Sequence, residues 1–251
     1  MSLLRTVKLR KYFGDTKAVD DVDFTVAKGE FLSLVGSNGA GKTTLVNLIS
    51  AFLRPDGGQI LLEDKDITYA SVDERLRAGI ARSFQLVNLF DDLSAFDNVA
   101  LSIFSRERKT LNIMRIADND LEVRGEADDL LSQFGLKSKR NVLVRGLAQG
   151  ERKLLDVAVA YALRPRLLFL DEPTSGVSTR DKVQIMDIIS SVVRAGNVTA
   201  VVIEHDMDVV FKYSDRIVAM HQGSILADGT PDEIRRNEAV AANLLGLSAH
   251  G

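Results

Sequence analysis

The stretch Gly36-Ser37-Asn38-Gly39-Ala40-Gly41-Lys42-Thr43-Thr44 has the spacing G-x-x-x-x-G-K-[ST]. Its glycines allow backbone N–H groups to turn inward around phosphate oxygens. The helix expected to follow would aim its positive end at the same point. Lys42 would reach the β- and γ-phosphates, and the Thr43 hydroxyl would hold Mg²⁺. A second candidate is Asp171-Glu172, which closes the apolar run Leu167–Leu170. Ligands of open α/β sheets bind beyond the carboxyl ends of strands, so Asp171 could help hold Mg²⁺ and Glu172 could orient or deprotonate a water. Alone, such an acidic pair would more often be a solvated turn; its partnership with the phosphate loop gives it a chemical reading.

A third signal is Leu147-Ala148-Gln149-Gly150-Glu151, directly before a segment with Leu154, Ala158 and Ala162 at helical spacing. A glycine before a helix N-terminus is another anion-binding arrangement. One phosphate group does not need two such helices from one chain, whereas a site shared between two chains would use both.

These groups need elements to position them. Phe31–Val35 reads as a buried strand leading into the glycine loop, and Thr43–Phe52 as a helix ended by Arg54-Pro55-Asp56-Gly57-Gly58. Val22, Phe24 and Val26 alternate as in a half-buried strand, Lys28-Gly29 is a turn, and Gln59–Leu62 is a further short strand. From about 88 to 165 the pattern turns helical and charged. Strand and helix then alternate again over 167–227, which points to a mostly parallel sheet. Thr230-Pro231-Asp232-Glu233 is a capping box that should open a short C-terminal helix.

Composition narrows the classes. The 251 residues carry 32 Lys plus Arg against 35 Asp plus Glu, net −3. That balance, with no long basic run, argues against a polybasic nucleic-acid binder. With no cysteine, a disulfide scaffold, thiolate zinc sites and a cysteine nucleophile are excluded. No apolar run approaches the ~18 residues of a membrane helix and no export signal is visible, so work at a membrane would require recruitment by a partner.

Taken together these motifs resemble the nucleotide-binding subunits of ABC transporters. GSNGAGKTT is similar to the Walker A motif, LLFLDE to Walker B, and LAQGE to the signature written LSGGQ. The resemblance implies an α/β fold, a P-loop NTPase core of mostly parallel sheet with an antiparallel β subdomain and an inserted α-helical subdomain. Residues 1–87 and 166–230 would form the nucleotide-binding core, 88–165 the helical signature subdomain and 231–251 a short C-terminal helix. Gln85 matches the Q-loop glutamine, placing it on the metal and catalysis. His205 matches the switch histidine, which would hold the γ-phosphate. Phe13 matches the aromatic that stacks on adenine, with Tyr12 as second choice. ATP and Mg²⁺ are the implied cofactors.

Two such subunits, a homodimer or a heterodimer with a second ABC ATPase, would sandwich two ATP molecules, each phosphate loop facing Ala148, Gln149 and Gly150 of the other. Two transmembrane permease subunits and an external binding protein complete the implied assembly. Nucleic acid is not an expected partner. The chain would sit peripherally on the cytoplasmic face of the plasma (inner) membrane.

Two departures stand out. Ala148 replaces the signature serine, removing a hydroxyl donor. Ser178 stands where the family often has Asp, which removes a contact used between subunits. RSFQLVNLFDDLSAFDNV and EHDMDVVFKYSDRIVAMHQGSILADGTPDEI resemble the branched-chain amino acid uptake subfamily, its larger ATPase subunit above all. Urea-uptake and lipopolysaccharide-export ATPases are rivals. A repair or translation ABC ATPase is a rival of another class, although repair forms need long coiled-coil arms and translation forms resemble two units in tandem. A GTPase or small-molecule kinase would leave LAQGE and His205 unexplained, and no N-K-x-D motif occurs.

Overall fold

The computed structural model describes residues 1–83, 89–107 and 121–244. Its centre is a six-stranded sheet in the order β11-β10-β4-β9-β8-β7. These strands are β4 (Phe31–Gly36), β7 (Ile80–Arg82), β8 (Leu167–Asp171), β9 (Thr199–Ile203), β10 (Arg216–His221) and β11 (Ser224–Gly229). All neighbours are parallel except β11, which returns antiparallel along β10. Every residue of β4, β8 and β9 is buried, as expected of central parallel strands covered on both faces.

The two faces have different neighbours. Along β8 the period of two sends Leu167 and Phe169 to one apolar cluster and Leu168 and Leu170 to the other. The first cluster joins the sheet to α1 (Lys42–Ile49) and to a second, antiparallel sheet. That sheet has the order β2-β1-β5-β6, with β3 also paired to β1. Its strands are β1 (Ser2–Phe13), β2 (Thr16–Val22), β3 (Thr25–Ala27), β5 (Gly57–Leu62) and β6 (Lys65–Asp66). Between β5 and β7 lies α2 (Val72–Arg77).

The other face carries α3 (Ala95–Glu107), α4 (Leu121–Gln133), α5 (Gln149–Ala162) and α6 (Thr179–Ala195). Phe96, Ile103, Phe104, Leu131 and Leu155 from the helices, with Phe134 just past α4, share one continuous core with Leu168, Leu170 and Val202 of the sheet. The helical segment is therefore welded to the sheet rather than built around a core of its own. The short helix α7 (Met207–Tyr213) joins β9 to β10.

Three expectations need correction. The helix after the glycine loop stops at Ile49, not Phe52, because Ala51 takes a left-handed conformation at φ 65°. Val22, Phe24 and Val26 are all buried but do not form one strand. The chain breaks between β2 and β3, and Thr6 Oγ1 bridges the break by donating to Val22 O and accepting from Phe24 N. The C-terminal segment is two helices, α8 (Pro231–Arg236) and α9 (Glu238–Leu244). Asn237 divides them: its backbone leaves the helix at ψ 113°, and its Oδ1 accepts from Val240 N to open the next.

Candidate nucleotide site

The loop between β4 and α1 follows directly from its glycines. Gly39 and Gly41 sit at φ 81° and 103°, a region that side chains rarely enter. A Cβ on Gly41 would fall 2.3 Å from Ala18 O, so the close approach of β2 requires glycine there. No side chain caps the N-terminus of α1, which leaves its N–H groups for a ligand. Lys42 is 6% exposed and donates to Gly36 O at 2.7 Å and Ser37 O at 3.1 Å. Burial pushes its ammonium below the usual lysine range, and the nearby Glu172 and Asp171 oppose that shift. Thr43 beside it is exposed.

A cleft of about 750 Å³ opens over this loop. Asn38, Gly39, Ala40, Gly41, Lys42, Thr43 and Thr44 line its floor, and Phe13, Glu172 and His205 line its walls. Phe13 is 49% exposed, an aromatic face presented to solvent at the cleft edge. Tyr12, the second choice, is not among the cleft residues; its hydroxyl donates to Asp20 Oδ1 at 2.6 Å. Ser37 is exposed at the start of the loop.

The two carboxylates stand at the end of β8 in unlike settings. Asp171 is buried, and its Oδ2 accepts from the Arg82 guanidinium at 2.5 Å. Glu172 takes a left-handed conformation at φ 48°, a strained turn that carries its side chain off the strand line. Its Oε1 lies 3.2 Å from His205 Nε2. Two buried groups brace that turn. Lys153, from α5, donates to Glu172 O at 3.1 Å and Ser175 Oγ at 2.9 Å. Glu204 accepts from Thr174 N, Thr174 Oγ1 and His205 N. Neither residue was singled out from sequence, although Glu204 stands next to His205.

Ala148, Gln149 and Gly150 open α5 but do not line the cleft. Glu151 Oε2 accepts from Ala148 N at 2.9 Å, half of a capping box, since alanine has no oxygen to return the bond. Ser178 spends its hydroxyl as the N-cap of α6, bonded to Asp181. Gln85 lies outside the described residues.

The donors fit a hard divalent cation. Thr43 and Asp171 offer oxygen only, and among the described residues no cluster of three or more His, Cys, Asp or Glu could hold a metal unaided. An oxygen-only pair suits Mg²⁺, which takes one or two protein ligands and fills its shell with phosphate oxygens and water.

The family model described as ABC transporter matches residues 19–175, a span from β2 through the brace on Glu172. The chain belongs to the ABC transporter family. LivG of Escherichia coli (strain K12), a high-affinity branched-chain amino acid transport ATP-binding protein, is 34% identical over 252 residues, covering 97% of this chain and 98% of that protein. BraF of Pseudomonas aeruginosa, of the same description, is 34% identical over 253 residues with the same coverage. Among solved structures, an ATP-binding cassette of an ABC transporter in its ADP conformation superposes at a TM-score of 0.87, with 29% identity, over 98% of this chain and 100% of that one. A nucleotide-free cassette superposes at 0.81, with 30% identity, over 98% and 96%. The α/β fold with its helical subdomain is thus that of an ABC ATPase, a nucleotide-binding protein. Among the described residues no helix is long and apolar enough to cross a membrane.

Proposed function

We propose that this chain is the ATP-binding and hydrolysing subunit of an importer for branched-chain amino acids. The observation that carries the hydrolytic reading is the pairing of Glu172 with His205 at 3.2 Å on the wall of a cleft floored by the glycine loop. The near full-length similarity to LivG and BraF supports the substrate.

In this reading residues 1–87 and 166–230 form the nucleotide-binding core and 88–165 the signature subdomain. Phe13 stacks on the adenine. The loop N–H groups and Lys42 hold the phosphates, Lys42 exchanging its carbonyl partners for phosphate oxygens. Thr43 and Asp171, with Gln85, would hold Mg²⁺, which would neutralise charge on the phosphates when bound. Glu172 orients a water and takes its proton as the water oxygen bonds to the γ-phosphorus and the bond to the ADP oxygen breaks. His205 fixes the Glu172 carboxylate and contacts the γ-phosphate. Ala148, Gln149 and Gly150 close the equivalent site of a second ATPase subunit. Two permease subunits recruit the pair to the inner face of the membrane, and an external binding protein delivers the amino acid.

Reconstitution into vesicles with its membrane subunits and binding protein tests this. ATP-dependent uptake of leucine, isoleucine or valine is the expected result. ATP-driven uptake of urea, or lipid extraction, without response to these amino acids would overturn the substrate and leave the motor in place.

A further inference from the structure

Arg82 is the last residue of β7, paired in register with Phe169 of β8. Its side chain is 8% exposed, and the Asp171 side chain that it meets is 3% exposed. The guanidinium divides its donors. One terminal nitrogen donates to Asp171 Oδ2 at 2.5 Å and the second terminal nitrogen to Asn47 Oδ1 on α1 at 2.6 Å. The Phe52 ring lies 6.0 Å from its central carbon. Asn47 follows Thr43 by four residues on α1, so both project from one face of that helix. A single buried cation therefore ties together the helix that carries Thr43, the strand that carries Asp171 and the edge strand between the two sheets' connections.

A carboxylate this deeply buried is costly unless paired. Arg82 supplies the partner within the chain. A divalent cation at Asp171 would then be the second cation on one carboxylate, and like charges a few ångströms apart in a poorly solvated site repel strongly.

Resting on the reading of Asp171 as a metal carboxylate, we propose that Arg82 is a built-in counter-ion that fixes the Asp171 carboxylate and sets how weakly the site holds a divalent cation. Arg82 touches neither substrate nor metal; it is a positioning residue. Its charge keeps the carboxylate aimed before a metal arrives and opposes the metal afterwards. Divalent binding is thereby made dependent on the phosphate oxygens that the nucleotide brings.

The test is Mg²⁺ titration of the full chain at saturating ADP, followed by melting temperature, with Mn²⁺ binding read by electron paramagnetic resonance. Arg82→Gln keeps donors without the charge, Arg82→Met removes both, and Arg82→Lys keeps the charge. The neutral variants are expected to lower the Mg²⁺ and Mn²⁺ midpoints by about tenfold or more. Arg82→Lys, which retains the charge that opposes the metal, should stay within about twofold of the parent. Without nucleotide, Arg82→Met should melt lower, because Asp171 loses its partner. A purely structural arginine would lower stability in the neutral variants and leave the midpoints unmoved; that result overturns the proposal, and Arg82→Gln delivers it even where Arg82→Met does not fold. Parent protein that fails to bind ADP would instead overturn the nucleotide reading. Parent protein that binds ADP with no Mg²⁺ response would overturn the metal reading of Asp171 and this proposal with it.

Discussion

Two helix N-termini of the chain have a glycine close by, Gly41 just before α1 and Gly150 within the first turn of α5, and they are finished differently. The N-terminus of α1 is enclosed. A left-handed Gly41 precedes it, Lys42 is buried beneath it, and Glu172 and His205 face it across the cleft. The N-terminus of α5 is open. Ala148 and Gln149 are exposed, and the N-cap N–H of Ala148 already donates to the chain's own Glu151, itself held by Lys139 at 3.1 Å. Both ends carry the same partial positive charge. The contrast teaches that the helix end supplies attraction while its surroundings decide whether an anion can be bound, positioned and attacked. The α1 end has those surroundings in its own chain; the α5 end lacks them, and in the proposed assembly a second subunit would supply them.

The largest effect should come from the enclosed end. Glu172→Gln is expected to lower steady-state ATP turnover by about 10²- to 10⁴-fold while nucleotide binding survives. Turnover near the parent value would remove Glu172 from the chemistry. Lys42→Ala should weaken nucleotide binding by about ten- to a hundredfold, the worth of a charge-assisted hydrogen bond. The melting temperature without nucleotide should not fall with it, since burial already disfavours that ammonium. Calorimetric titration and thermal melts separate the two effects.

At the open end, Glu151→Gln sharpens the comparison. If the end of α5 faces a phosphate on a second subunit, removing a carboxylate there should tighten ATP-driven association by several-fold, roughly the worth of one helix-end charge. Analytical ultracentrifugation with Mg-ATP reads this, and weaker association would mean that α5 points elsewhere. The smallest expected effect is that of Ala148→Ser, which completes the capping box with Glu151. It should add about 1 kcal/mol to stability, or about 2–4 °C in Tm. No gain would show that the serine hydroxyl turns away from the α5 backbone.

Legibility in the sequence followed the range of the interactions. The glycine loop could be read because its chemistry is local: nine adjacent residues carry turn, cation and hydroxyl together. Glu172 and His205 could be placed at strand ends, but their 3.2 Å contact depends on β8 and β9 lying side by side. Arg82 and Lys153 were invisible, because a lone cation in a strand or on a charged helix reads as solvated surface. Their partners lie 89 and 19 residues away. Helix α2 did carry a signal, the spacing from Ser71 to Glu74 that forms a reciprocal cap. The end of α1 carried none, since Leu45, Leu48, Ile49 and Phe52 continue the helical period past the true stop. Ala51 makes that turn without the glycine that usually marks it.

The far end of α1 is held as deliberately as the near one. Arg75, on α2 and 2% exposed, donates to Leu48 O and Ile49 O at the last turn of α1, and to Ile67 O and Thr68 O of the chain leading to α2. Burial pushes its pKa down to about 10, so it is still a cation at neutral pH. With eight residues, α1 is only about 12 Å long, and its two poles are close enough to feel the same ligand. An anion at the front would have roughly a quarter of its attraction cancelled by the negative pole behind. Arg75 neutralises that rear pole. Toward a phosphate the short helix would then act less as a dipole, whose field dies quickly, than as an isolated positive charge, whose field reaches farther into the cleft.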